Sequence, residues 1–305
     1  MDFASLQIFK TVVDEGGIIA AARKLHRVQS GVTMRIKQLE ASLGVELFVR
    51  DKHRLTLSPA GEIFLDYVEQ LLRLAEQAHH AVRGDTPRGV LRIGTLESTA
   101  ASRLPPLLSH YHEKYPAVRV ELATNTTDAL VEGVWCRKLE AAFVAGRVEA
   151  VGLEALVAFD EELVIIAPRS HPTIGCAQDV RTDTIISFPS GCAYRRLLQT
   201  WLAASAVVPE KVLELSSYHA IVACVASGTG IALVPRSVLE TMRASDSIAV
   251  YPLTEEPVCV QTHLVWRRGE TSPALQALQA ELRASITRQI LPERSQDSAL
   301  AYIQM

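Results

Sequence analysis

Apolar residues at Val28, Val32, Ile36, Leu39 and Leu43 recur at spacings of 4, 4, 3 and 4, which predicts a helix with one buried stripe. Its opposite face holds Ser30, Thr33, Met34, Lys37 and Gln38, with Gln29 near the N-terminal end. Just upstream, Ala20, Ala21, Ala22 and Leu25 predict a short helix whose small side chains let a neighbour approach closely. The connection His26-Arg27-Val28 is short, as two packed helices joined by a tight turn require. Downstream, Leu47-Phe48-Val49 and Leu55-Thr56-Leu57 flank the basic turn Arg50-Asp51-Lys52-His53-Arg54, which reads as a hairpin wing.

From Pro59, suited to a first helical turn, Phe64, Val68, Leu71, Ala75, Ala78 and Val82 are spaced 4, 3, 4, 3 and 4. That heptad seam predicts a long helix pairing with a second copy of itself. The competing reading is an amphipathic helix laid on its own domain. Thr86-Pro87-Arg88-Gly89 reads as a hinge. Beyond it, β-rich runs at 90–95, 118–123, 141–144, 163–167, 184–188, 231–234 and 261–266 alternate with helical segments such as 98–115 and 128–139. The alternation predicts parallel sheets covered on both faces, and its length suits two α/β lobes with a cleft between them.

Composition sharpens this. Of 305 residues 48% are hydrophobic and 21% charged, an ordinary globular balance. The net charge of -3 hides an asymmetry: residues 1–58 hold nine Lys/Arg against six Asp/Glu, the remainder 22 against 28. A basic head on an acidic body suits a head that meets nucleic acid. No signal peptide and no apolar run of membrane-spanning length is present, so a cytoplasmic protein without a membrane partner is expected. The five cysteines (Cys136, Cys176, Cys192, Cys224 and Cys259) show no C-x-x-C pair and are expected to be free, mostly buried thiols.

Hydroxyl, amide and ammonium groups on one exposed helix face can bond base edges and phosphates. Here the chain resembles a known family. The run Ala20-Ala21-Ala22-x-x-Leu25, Gln29-Ser30-x-Val32-Thr33-x-x-Ile36-x-x-Leu39-Glu40-x-x-Leu43-Gly44-x-x-Leu47-Phe48-x-Arg50, then Leu55-Thr56-x-x-x-x-Gly61, is similar to the LysR-type transcriptional regulators. Downstream Leu104-Pro105, Tyr115-Pro116-x-Val118, Leu139-Glu140-Ala141-Ala142 and Val225-Ala226-Ser227-Gly228-x-Gly230-Ile231-x-Leu233-Val234-Pro235 resemble the same family's effector domain. The resemblance implies a winged helix-turn-helix joined by a dimerising linker helix to a two-lobed, periplasmic-binding-protein-like α/β domain. It also implies a tetramer that activates or represses genes in response to small metabolites. Carried over by position, Gln29, Ser30, Thr33, Met34, Arg35 and Lys37, with Arg50 and Arg54 of the wing, are the expected DNA contacts. Arg35, at the edge of the buried stripe, is expected to reach sideways to phosphate. The chain departs from the family where Gly17 and Ile19 stand for Ser and Thr, Val28 for Ser, and Met34 for Arg.

The expected organisation is a DNA-binding domain over 1–58, a linker helix and hinge over 59–88, and an effector domain over 89–290. Within the last, lobe I covers about 89–159 and 267–290, lobe II about 160–266, and 291–305 is an unassigned tail. Ligands of such a domain sit at strand carboxyl ends between the lobes. Thr95, Glu97, Ser98 and Thr99 on one lobe, and Cys192, Tyr194 and Arg195 on the other, are the candidate effector residues, with Thr126 at a third strand end. Helix N-termini there favour an anionic, carboxylate-type effector, N-capping by Ser98 or Thr99 being the plain structural alternative. Cys192, beside Arg195 and Arg196 at a helix N-terminus, suggests a rival redox sensor with a lowered thiol pKa, paired with Cys224. A solute-binding protein would leave residues 1–58 unexplained. An enzyme would need an acid/base or metal constellation, and none is found: His110 and His112 point to different sides of a helix, and no G-x-S-x-G is present. No cofactor is expected. The expected partners are promoter or operator DNA, a small-molecule effector, copies of itself as homodimer or homotetramer, and RNA polymerase.

Overall fold

The computed structural model describes residues 1–51, 54–83, 86–148, 150–243, 247–253 and 258–290. The 291–305 tail lies outside the described residues. The chain forms two compact units, 1–85 and 86–305.

In the first unit, α1 (Phe3–Asp14) starts where the Asp2 carboxylate accepts the Ser5 N–H at 2.7 Å. α2 (Ile18–Lys24) starts at Gly17 without a side-chain cap. α3 (Gln29–Leu43) ends at Gly44, whose φ of 72° is left-handed. Leu6, Phe9, Val12, Ala21, Ala22, Val32, Ile36 and Leu39 close one core between the three helices. The stripe predicted on α3 is buried only in its middle: Val28 is 72% exposed and Leu43 is also exposed, because both lie beyond the reach of α1 and α2.

Strands β1 (Phe48–Asp51) and β2 (Arg54–Leu57) pair antiparallel, Phe48 opposite Leu57. Glu40 of α3 accepts the Leu47 and Phe48 N–H groups at 2.8 and 3.3 Å, which ties the hairpin to the helix. α4 (Pro59–Arg83) begins against it, and Gly61 sits so close to the Leu47 carbonyl that a methyl group there would collide with it. The predicted α4 seam divides. Phe64 and Val68, with Leu65 and Leu72, pack on the unit's own core, whereas Leu71 and Ala78 are exposed. Ile63, Tyr67 and Leu74 are exposed as well. The Val82 side chain lies outside the described residues.

The second unit holds β3 (Gly89–Thr95), α5 (Glu97–Ser102), α6 (Leu104–Lys114), β4 (Val118–Thr124), α7 (Thr127–Trp135), β5 (Ala141–Ala145) and β6 (Leu153–Pro168). There follow β7 (Thr184–Ser187), α8 (Ala193–Ala204), β8 (Lys211–Glu214), α9 (Tyr218–Ala226), β9 (Ala232–Pro235), α10 (Arg236–Met242), β10 (Ile248–Pro252), β11 (Val258–Arg267) and α11 (Pro273–Ile290). β3 lies parallel to β4 and β5, and β7 parallel to β8. β11 is antiparallel to β5 and β6, and β6 is antiparallel to β9 and β10. The sheet is therefore mixed, not parallel as the strand–helix rhythm predicts, because β6 and β11 are long strands that run through both lobes. The register of β11 against β6 shifts between Thr262 and His263, and Thr262–Trp266 also pair with β5.

The helix predicted over 98–115 is two helices. Arg103 bends away, and Pro105 and Pro106 have no N–H to continue the first one. One hydrophobic core joins Leu96, Leu130 and Val134 of lobe I to Cys192, Tyr194 and Leu198 of lobe II. Among the described residues no helix is long and apolar enough to cross a membrane.

Candidate functional site

Two surfaces carry the candidate residues. On α3, Val32, Ile36 and Leu39 point inward. Gln29, Ser30, Met34, Lys37 and Gln38 are exposed, and Thr33 is half-buried. These six side chains and Ala41 line one open surface groove. Thr33 turns its hydroxyl back to the Gln29 carbonyl at 2.9 Å, so its methyl group as well as its oxygen is presented along the helix. Arg35 lies 3.5 Å from the Asp2 carboxylate, the same group that caps α1. The Ser5 backbone N–H above all, with Arg35 helping, holds the Asp2 carboxyl below its ordinary value. Arg35 therefore starts from an exposed ion pair, a weak one that a phosphate can exchange. The Arg50 and Arg54 side chains lie outside the described residues; their backbones belong to β1 and β2.

The second surface is a cavity of about 360 Å³ between the lobes. Glu97, Asn125 and Thr126 line it from lobe I, Phe188, Ser190 and Ser216 from lobe II. Of the candidate effector residues, only Glu97 and Thr126 face it. Thr95, Ser98 and Thr99 are buried. Thr95 donates to the Leu96 carbonyl at 3.1 Å, while the Ser98 and Thr99 hydroxyls have no partner. Neither caps α5: the N-cap is Leu96, and both serve inside the first turn.

Tyr194 is buried, and burial pushes its phenol well above the ordinary range. Arg195 is engaged within lobe II, where it donates to the Glu214 carboxylate and the Phe188 carbonyl. It is a wall support, not a lining group. Cys192 is the N-cap of α8 and buried, and burial raises its thiol pKa against the opposing Arg195 and Tyr194 backbone N–H groups. This reverses the lowered value expected from its basic neighbours. Cys224 is half-buried, and Cys136, Cys176 and Cys259 are exposed, so most of the thiols are not in the core.

Two interlobe features escaped the sequence reading. At the crossing strand, the buried Glu161 carboxylate accepts Arg103 Nε at 2.7 Å, Arg103 Nη2 at 3.2 Å and the Ser237 hydroxyl at 2.7 Å. At the cleft rim, Asp128 of α7 accepts Arg196 of α8 at 2.8 and 3.0 Å. Glu161 sits in the run Asp160-Glu161-Glu162, which looks like solvated charge, and no local pattern marks the one that turns inward.

A family model described as "Bacterial regulatory helix-turn-helix protein, lysR family" matches residues 3–62, and one described as "LysR substrate binding domain" matches residues 84–287. The HTH-type transcriptional regulator GltR of Bacillus subtilis (strain 168) is 38% identical over 286 residues, 93% of this chain and 96% of that protein. The HTH-type transcriptional regulator CzcR of the same organism is 35% identical over 263 residues, 86% of this chain and 90% of that protein. Among solved structures, full-length CbnR complexed with its target DNA has a TM-score of 0.67 at 26% identity, covering 93% of this chain and all of its own (100%). A full-length OxyR variant from Pseudomonas aeruginosa, with a TM-score of 0.70 at 22% identity over 93% of this chain and 98% of its own, shares the fold. The exposed polar helix and the two-lobed cleft thus lie on one chain, matched in order over nearly its whole length, and the protein belongs to the LysR family of transcriptional regulators, with a DNA-binding helix-turn-helix and an effector-binding domain.

Proposed function

We propose that this LysR-type regulator reads duplex DNA with Gln29, Ser30, Thr33, Met34 and Lys37 of α3. Arg35, once exchanged from Asp2, and Arg50 and Arg54 of the wing supply phosphate contacts. The observation that carries the reading is the sidedness of α3: Val32, Ile36 and Leu39 are buried, whereas the polar residues between them are open to solvent. A helix so anchored presents donors and acceptors at the spacing of base edges in a major groove. The protein acts in the cytoplasm as a homodimer or homotetramer paired through α4, and it meets RNA polymerase at the promoter.

A small molecule held between the lobes is the signal, in preference to thiol oxidation, because burial of Cys192 disfavours the reactive thiolate. The anionic effector suggested by helix N-termini finds hydroxyls and an amide at the cavity but no Lys or Arg among its lining residues. The relatives are named as transcriptional regulators, and this chain regulates without catalysis.

The test is a gel shift on the DNA upstream of the protein's own gene, with a scrambled duplex as control, repeated over rising salt. Specific binding is expected, with affinity falling linearly in log–log form with salt. Equal affinity for both duplexes at every salt concentration would sink the DNA-reading assignment.

A further inference from the structure

The cleft contains a charge that the expected effector does not explain. Its volume, about 360 Å³, suits a small metabolite. Glu97 is the one charged side chain among its lining residues; Asn125, Thr126, Ser190 and Ser216 are neutral hydrogen-bonding groups and Phe188 adds an apolar wall. The arginines nearest Ser190 in sequence are committed elsewhere, Arg195 to Glu214 and Arg196 to Asp128, as are those nearest Glu97, Arg92 to Glu121 and Arg103 to Glu161. Glu97 is half-buried, and its Oε2 is sealed from solvent with no hydrogen-bond partner. Removal from water is the largest influence on this carboxyl and pushes it up, while the Tyr218 backbone N–H and His219 favour the anion. A carboxylate in that position is short of donors, and a ligand that supplies one relieves the cost of desolvation. A ligand carboxylate placed there would instead meet like charge.

We propose that the effector carries a protonated nitrogen that Glu97 receives, with the neutral hydroxyls and amide of the cleft bonding the rest of the molecule. The proposal rests on the reading of the cleft as the effector site and specifies the ligand's chemical class. It also gives α5 a role besides structure: Glu97 at its first position sets which ligands enter.

Substitution of Glu97 by Gln separates this from the reverse arrangement, in which a neutral Glu97 donates to a ligand carboxylate. Glutamine resembles the protonated acid, so it should remove the charge that attracts an ammonium, weakening that contact, and preserve a carboxylate one. The full-length protein is screened by thermal shift, and hits are titrated calorimetrically, against three matched sets. These are the standard amino acids, the amines left by removing their carboxylate, and the 2-oxo acids left by replacing their amino group. Stabilisation confined to nitrogen-bearing compounds is expected, with affinity reduced about tenfold or more in Glu97→Gln and largely kept in Glu97→Asp. Circular dichroism of both variants checks that they fold. Stabilisation by 2-oxo acids alone, or equal affinity in Glu97→Gln, would overturn the proposal and leave the cleft a ligand site. No shift with any of the three sets would overturn both the proposal and the reading beneath it.

Discussion

Buried charge sets the sharpest constraint on single residues. Glu161 is 1% exposed, and its two oxygens are satisfied by Arg103 and Ser237, with Ser102 3.2 Å from the Ser237 hydroxyl. Arg103→Ala strips the cation from a carboxylate that cannot reach water, which should cost about 3–5 kcal/mol. Denaturant unfolding of the full chain measures it, and replacing Glu161 by Leu in the same variant should restore most of the loss. A cost under about 1 kcal/mol would mean that water reaches the carboxylate. On α3 the roles of neighbours differ in kind. Thr33→Ala should lower discrimination between operator and mismatched sites by about 1–3 kcal/mol. Arg35→Ala should weaken all sequences alike and reduce the log–log salt slope by about 0.9 if it meets one phosphate. Competition binding at several salt concentrations distinguishes them, and equal loss of discrimination in both variants would refute the assignment. Exposure of Ser30 and Lys37 was legible because helical periodicity fixes which side faces the core. The attachment of Arg35 to Asp2 was not, because their contact depends on how α1 crosses α3.

At the scale of elements, α4 shows why a heptad count under-determines a helix. Its 25 residues carry two apolar stripes. Phe64, Leu65, Val68 and Leu72 are held by the unit's own core, while Ile63, Tyr67, Leu71 and Leu74 remain exposed. Packing on its own domain is realised on one face and the other face stays exposed, and the sequence alone could not separate the two since Phe64 and Leu71 fit one heptad frame. A stripe of that size left in water is a natural surface for a second copy. Leu71→Asp together with Tyr67→Asp should weaken self-association by an order of magnitude or more, on the order of 1.4 kcal/mol per tenfold, with the unit still folded. Phe64→Ala, at a half-buried ring, should instead destabilise it by about 2–3 kcal/mol. Sedimentation velocity and thermal unfolding read the two effects, and an unchanged sedimentation coefficient in the Asp variant would remove α4 from the interface. Most short strands of the effector domain were legible as apolar runs, but β8 and β10 were not among those predicted. β6 was legible only from Leu163 onward, because Glu154, Asp160, Glu161 and Glu162 interrupt the part before it. The antiparallel crossing of β6 with β11 joins segments about a hundred residues apart, a pairing that no local pattern encodes.

For the effector domain as a whole, response to a ligand requires two arrangements of the lobes that differ little in free energy. The crossing strands and the Glu161 network keep the lobes joined, while the cleft rim holds them by a lighter contact. There Asp128 meets Arg196, and the Asp128 N–H lies 3.4 Å from the Gly191 carbonyl. Gly191, at a φ of 90°, leaves room for Thr126, whose Oγ1 would lie 3.0 Å from an added methyl carbon. Asp128 and Arg196 are both more than half exposed, so the pair contributes little to stability, under about 1 kcal/mol. A bias of that size still changes the ratio of open to closed lobes up to several-fold. Arg196→Ala should therefore leave the unfolding free energy nearly unchanged while it speeds amide exchange across 124–130 and 188–193. Glu161, far from solvent, should show the opposite pattern when its partner is removed: lower stability throughout the domain. Hydrogen exchange followed by mass spectrometry separates a rim that opens from a domain that unfolds, because only the former confines faster exchange to the two rim segments. Exchange there at the wild-type rate would mean that the Asp128–Arg196 contact does not hold the lobes, and closure would then have to come from the ligand and the shared core around Leu130 and Tyr194.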